Sequence, residues 1–189
     1  MPPPNETRRA AIADAAIELL VEAGVHGVTH RAVDARAGLP AGTTSNYLRS
    51  REALLVAVTE RVAELHRADM AAALVTTPGA GAETLIAGSL RLAATVQRRR
   101  YLAIFELHLE SLRRPALADA LGRLQASMAA YTAEHHARAG LAIPPAAVPA
   151  LLTLYGGALY TLVTASPETV TEESCADLAA AIVRGALNS

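Results

Sequence analysis

The sequence has no lysine and no tryptophan, and only one phenylalanine and one cysteine in 189 residues. A single thiol, Cys175, cannot close an internal disulfide, and no cysteine cluster offers a structural zinc site. A reducing, cytoplasmic setting and no metal or other cofactor are therefore expected. Aromatic residues make up 3% of the chain, and alanine and leucine dominate, which favours helix over strand. Excess charge of one sign is also missing. Seventeen basic residues, all arginine, stand against 18 acidic ones, so the protein is not a uniformly basic nucleic-acid coat. The first residues lack the basic and apolar regions of a secretory signal. The most apolar run, Val148 to Ala165, is interrupted by Thr153, Gly156, Gly157 and Thr161. A buried helix explains it better than a membrane span, and no membrane partner is expected.

Helical periodicity is present nearly everywhere, with no sustained period-two run. The spacing predicts about nine helices and an all-α fold. The first covers about Thr7 to Ala23, with Ile12, Ala16, Leu19 and Leu20 on one face and Gly24 as its C-cap. Thr29 can cap a short second helix, Gly38-Leu39 makes a sharp turn, and Pro40 suits the start of a short third helix ending near Leu48. Ser50 can cap a long fourth helix, about 51–76, carrying Leu54, Val58, Val62 and Leu65. Stripes are read as Leu85, Ser89, Leu92 and Val96 in a fifth helix, and as Leu102, Phe105, Leu109 and Leu112 in a sixth. Pro115 opens a seventh, carrying Leu117, Leu121, Leu124, Met128, Tyr131 and His135. An eighth follows Pro144-Pro145. Thr169-Val170-Thr171-Glu172 fits a capping box for the ninth.

The most informative segment is THRAVDARAGLPAGTTSNYLRSREALL, from Thr29 to Leu55. Two short helices joined at Gly38 make a helix-turn-helix, whose second helix enters the major groove of DNA. Thr43, Thr44, Ser45, Asn46 and Tyr47 offer short hydroxyl, amide and phenol groups, suited to base edges and phosphates. The charge count up to Arg61 is even, seven arginines against seven carboxylates. DNA affinity must then come from local placement of arginines, and from two copies acting together.

This segment resembles the TetR family of transcriptional regulators. Thr29, Arg31, Ala37, Gly38, Gly42, Thr43, Ser50, Glu52 and Leu54 match that family's pattern, and Val33, Leu39, Tyr47 and Arg51 are close replacements. Ser45 departs from the usual tyrosine, Leu48 from phenylalanine, Asp34 from alanine and Pro40 from serine. Asp34 is expected either to pair with a nearby arginine or to loosen the head. The resemblance implies a helix-turn-helix head at 1–50 and an effector-binding, dimerising body at 51–189, joined by the fourth helix. It implies that Thr29 presents the amino end of the second helix to a phosphate and that Arg31 reaches a base edge or phosphate. Thr43, Thr44, Ser45 and Asn46 would face the groove, with Tyr47 and Arg51 gripping phosphates.

The resemblance further implies a homodimer formed through the last two helices, acting on a palindromic double-stranded DNA operator as a repressor modulated by a small organic effector. The eighth helix is apolar on two sides and so needs two partners. Gly156-Gly157 suits close approach of another helix. Leu151, Leu154, Gly157, Ala158, Leu178 and Ile182 are the expected interface residues. Effector contacts are expected from Tyr101, Phe105, His108, Met128, Tyr131, His135 and Tyr155, polar or adaptable groups on apolar faces. Arg98-Arg99-Arg100 reads as a solvated helix end, with positive charge at a carboxyl terminus.

Two other readings compete. A helical interaction protein that has lost DNA binding is compatible with Ser45 and Asp34. An enzyme is disfavoured: no Glu-x-x-His pairs suit a di-iron site, and no glycine-rich phosphate loop follows a strand.

Overall fold

Alanine and leucine at helical spacing produce helices through most of the residues described by the computed structural model, 4–76, 80–138 and 143–187. Among these residues there are nine α-helices and no strand. The first four are α1 (Pro4–Gly27), α2 (His30–Arg36), α3 (Thr43–Tyr47) and α4 (Arg51–Thr76). The rest are α5 (Ala82–Ala94), α6 (Arg98–Ser111), α7 (Pro115–Arg138), α8 (Val148–Thr164) and α9 (Glu172–Leu187). The chain divides into two compact units. One runs to Arg67 and takes in Leu102–Leu124; the other comprises Ala68–Tyr101 and the chain from Gln125 onward.

In the first unit α1 packs on α2 and α2 on α3. Ile12, Ala16, Leu20, Val28 and Val33 are buried there, together with Leu54, Leu55, Val58 and Val62 of α4. Gly24, at φ 64°, breaks α1 where the sequence places a C-cap. Ser50 caps α4, its hydroxyl accepting from the Ala53 N–H at 3.0 Å. The third helix is shorter than expected. Pro40 lies in the turn before it, accepting from the Thr43 N–H and hydroxyl. The α6 stripe is turned relative to the sequence reading. Ala103, Ile104 and Leu107 are buried, while Leu109 and Leu112 are 65% and 81% exposed.

In the second unit α5, α8 and α9 pack against one another pairwise. The apolar side chains between them are small or medium: Ile86, Leu90, Ala93 and Ala94 from α5, Leu159, Leu162 and Val163 from α8, and Cys175, Ala179 and Ala186 from α9. The α5 face differs from the expected one, since Leu92 and Val96 are exposed. The α9 cap also shifts by two residues. Thr171 and Ser174 form the reciprocal pair, with the Thr171 hydroxyl accepting from the Ser174 N–H and the Ser174 hydroxyl accepting from the Thr171 N–H. By length and composition alone, Pro145–Thr164 could cross a membrane. It is not the wholly buried helix the sequence suggests. One side packs on α5 and α9, and the other lies open.

The arginine run is corrected as well. It starts α6 rather than ending α5. Arg98 Nη2 donates to the carbonyl of Ala165, the last cap of α8, at 2.8 Å. Arg100 pairs with Asp69, which also accepts from the Gln97 amide at 2.7 Å. These cations are structural ties, not a solvated helix end.

Candidate nucleic-acid interface

Thr29 occupies the position expected of it. It has extended backbone angles, and its hydroxyl accepts from the Ala32 N–H at 3.2 Å, capping α2. The chain then turns through Gly38 (φ 64°) and Gly42 (φ 87°), left-handed conformations that side-chain-bearing residues resist. Gly42 has no side chain with which to cap α3. Asp34, 3% exposed, reaches across from α2 to do so. Its carboxylate accepts from the Gly42 N–H (2.7 Å), the Thr44 N–H (2.7 Å) and the Thr44 hydroxyl (2.6 Å). At the opposite end of α3, His30 Nε2 donates to the Leu48 carbonyl at 2.6 Å.

Asp34 therefore corrects the expectation attached to it. It neither pairs with an arginine nor loosens the head, but satisfies amino-end N–H groups that would otherwise lack partners. Burial pushes the Asp34 carboxyl up. The Thr44 hydroxyl, the Thr44 and Gly42 N–H groups and nearby His30 outweigh burial and hold it below its usual value. Thr44 is corrected too: it is fully buried, and its hydroxyl is committed to Asp34, so it faces the core and not the groove.

Around this frame Ser45 and Asn46 are exposed on α3, Thr43 and Tyr47 are half-buried, and Arg31 and Arg49 are exposed. The Tyr47 hydroxyl donates to Asn5 at 3.0 Å, tying α3 to the start of α1. Arg51 is half-buried and donates to the Val25 carbonyl. It braces the end of α1 rather than projecting as a phosphate grip. Arg36 and Arg61 answer acids of α1: Arg36 meets Glu18 at 3.0 Å and Glu22 at 2.5 Å, and Arg61 meets Asp14 at 2.8 Å. The paired arginines sit with acids, while Arg31 and Arg49 stay exposed beside α3. Sequence reasoning missed His30 and Asp34 as site-forming residues. Their spacing of four on a short helix is the only local signal that they share a face.

The expected effector residues fall into both units. Tyr101 is 3% exposed. Burial, with Tyr155 close by, raises its phenol above the ordinary value of 10.0. Tyr155 is half-buried and accepts from the Ser89 hydroxyl at 3.0 Å; burial raises its pKa as well. Met128 and Tyr131 are half-buried on α7, and the side chain of His135 lies outside the described residues. In the other unit Phe105 is half-buried, and His108 Nδ1 donates to the Ile104 carbonyl at 2.9 Å. Two surface grooves, of about 390 and 510 Å³, lie between α5 and α9 and between α1 and α4. None of the expected effector residues lines either.

The expected interface residues separate by face. Leu154 (41% exposed) and Gly157 lie on the open side of α8, beside Tyr160. Leu151, Ala158 and Ile182 are corrected. They are buried within their own chain, on the side of the bundle shared by α5, α8 and α9. Leu178 is half-buried.

Residues 12–58 match the family model for bacterial regulatory proteins of the tetR family, and residues 80–189 match that for the tetracyclin repressor-like C-terminal domain. The chain is similar to the multidrug binding protein EbrR solved with ethidium, at 29% identity and a TM-score of 0.70, over 93% of this chain and 98% of that one. EbrR solved with proflavin gives 27% identity and a TM-score of 0.63, covering 93% and 99%. A TetR-family protein of Streptomyces coelicolor A3 is 27% identical with a TM-score of 0.73, covering 95% and 98%. No curated protein matches the chain.

Proposed function

The chain belongs to the TetR family of bacterial regulatory proteins, and from that membership we propose a cytoplasmic homodimeric repressor that binds a palindromic operator and is released by a small organic effector. Residues 1–50 would read DNA. Residues 51–189, reached through α4, would bind the effector and dimerise. The observation that carries the reading is α3 itself. It is anchored at both ends, with Ser45 and Asn46 exposed along it and Arg31 and Arg49 exposed beside it. Short polar groups on such a helix suit base edges, and flanking guanidinium groups suit phosphates. Thr29, Thr43 and Tyr47 complete the contact set.

Two heads are needed, because a head with balanced charge neutralises few phosphates alone. The open face of α8, with Leu154, Gly157 and Tyr160, supports pairing with a second copy. Half-sites should then be read about one helical turn apart, roughly 34–36 Å. Selection of duplexes from a random-sequence library by the protein should enrich an inverted repeat of that spacing. Enrichment of no sequence, or of unpaired single half-sites, would sink the reading.

For the effector, the pairing of buried Tyr101 with Tyr155 and its Ser89 partner supports a largely apolar molecule with at least one polar group. The similarity to a protein solved with ethidium and with proflavin extends this to flat aromatic compounds. Both dyes intercalate in duplexes, so calorimetry belongs on protein free of DNA. Saturable binding of proflavin lost in Tyr155→Ala is the expected result, and binding indifferent to Tyr155 would place the effector elsewhere.

A further inference from the structure

We propose that His30 and Asp34 are positioning residues for DNA recognition: together they fix the angle at which α3 is presented, and so set sequence discrimination without contacting a base. The inference rests on the DNA-binding reading above. A helix of five residues, Thr43–Tyr47, has no stability of its own, because nucleation costs more than one turn returns. Its orientation must be imposed from outside. His30 and Asp34 stand four apart on α2, one turn along one face. Each grips a different end of α3 with the chemistry that end lacks. The Asp34 carboxylate accepts from the Gly42 and Thr44 N–H groups at the amino end, both at 2.7 Å. The His30 ring donates to the Leu48 carbonyl just past the carboxyl end, at 2.6 Å.

Asp34 and Thr44 are 3% and 0% exposed, so water offers no substitute partner there. Ser45 and Asn46 lie exposed between the two anchors. A tilt of α3 about either anchor swings these side chains relative to the groove, and hydrogen bonds to base edges tolerate little misplacement. Phosphate contacts from the exposed Arg31 and Arg49 are long, flexible and indifferent to sequence, and should survive the same tilt. The anchors should therefore control specificity more than affinity.

The test uses the full-length dimer and two probes: duplexes enriched from a random-sequence library by the wild-type protein, and the unselected library itself. The ratio of the two dissociation constants is the readout. Asp34→Ala should lower that ratio by about tenfold to a hundredfold, the worth of one or two base contacts, while affinity for the unselected library changes less than about threefold. The slope of affinity against salt should not move, since no phosphate contact is lost. Asp34→Asn should fall between, because its amide oxygen still accepts one N–H. His30→Ala should lower the ratio and His30→Gln, which keeps a donor, should restore part of it. If Asp34→Ala does not fold, Thr44→Val removes one of the three hydrogen bonds with little change of shape and should lower the ratio by about threefold or more. Variants that keep the wild-type ratio would overturn the positioning role. So would variants in which both affinities fall in parallel with helicity. Failure of the wild-type protein to enrich any sequence would instead remove the DNA-binding reading beneath it.

Discussion

The helix-turn-helix and the α5–α8–α9 bundle are held by different physics. In the first, helices of seven and five residues are too short to bury much surface. Beside a few buried apolar side chains, Val28, Val33 and Leu48, their arrangement depends on directional contacts: Asp34 to α3, His30 to Leu48, Thr29 to α2 and Arg51 to Val25. In the second, helices of 13 to 17 residues meet through alanine, leucine, isoleucine and valine, with polar ties such as Ser89–Tyr155 at the margin. Directional contacts hold a geometry tightly but fail singly. Apolar packing spreads its energy over many atoms and allows helices to shift without breaking any one bond. The proposed reading of DNA sequence calls for the first property, and the proposed response to an effector calls for the second.

The strongest way to break this contrast is to remove volume from the bundle. Leu90 is fully buried, and Leu90→Ala should cost about 2–5 kcal/mol in urea unfolding, against less than about 1.5 kcal/mol for Leu90→Met. Equal losses from the two would mean that shape-specific contacts, not volume, hold the bundle. Next comes Asp34→Ala, which strands the buried Thr44 N–H and hydroxyl, leaves the Gly42 N–H to solvent, and should cost about 2–4 kcal/mol. Asp34 also carries a pH signature. Its folded pKa lies below the ordinary 3.8, so its stabilisation is complete above that value and is lost as pH falls through the lower folded one. Urea midpoints of the wild-type protein should fall in that acid range, and Asp34→Asn should flatten the fall. An unchanged acid limb would remove Asp34 from the list of head supports.

Tyr155→Phe should cost only about 1 kcal/mol, the net worth of one hydrogen bond to Ser89. Ultraviolet titration of the five tyrosines should show Tyr101 and Tyr155 ionising above the ordinary value of 10.0. Because their folded values are raised, stability should be full below that pH and decline above it. The smallest effect sharpens the comparison most. A Cβ added at Gly157 meets nothing within 4 Å. Gly157→Ala should therefore stabilise the isolated chain by about 0.5–1 kcal/mol through helix propensity. Sedimentation should nonetheless show a weaker dimer if that face receives a second copy, and Gly157→Arg should leave monomer. Unchanged association in both would free the α8 face of that role.

The head was legible because its signals are local. Thr29 and Ser50 cap helices beside them in sequence, and Gly24 and Gly38 adopt the left-handed turns their positions suggest. Asp34 was illegible for the complementary reason. Its partners lie eight and ten residues away across a turn, and as a residue type it reads as a misfit on a helix that otherwise expects alanine. The body was harder because its helices are apolar on more than one side. In α5 apolar residues stand both on the stripe of Leu85 and Leu92, which Ser89 interrupts, and on the unbroken stripe of Ile86, Leu90 and Ala93, and the unbroken one is buried. On α8 both apolar sides are visible in the sequence, but Leu151 and Ala158, which the pattern puts on the outer side, pack inward.

The burial of Cys175 has a practical side. It is 1% exposed, and burial raises its thiol above the ordinary 9.0. A thiol set at the floor of the α5–α9 groove and held protonated reacts more slowly than an exposed one with maleimides and methanethiosulfonates. The chain is therefore a ready background for site-directed labelling, since a cysteine introduced at an exposed position such as Asn46 would be modified first, without deleting the native one. In the proposed dimer, paired spin labels on the two copies of α3 would then report the distance between the heads directly, with and without a proposed effector such as proflavin.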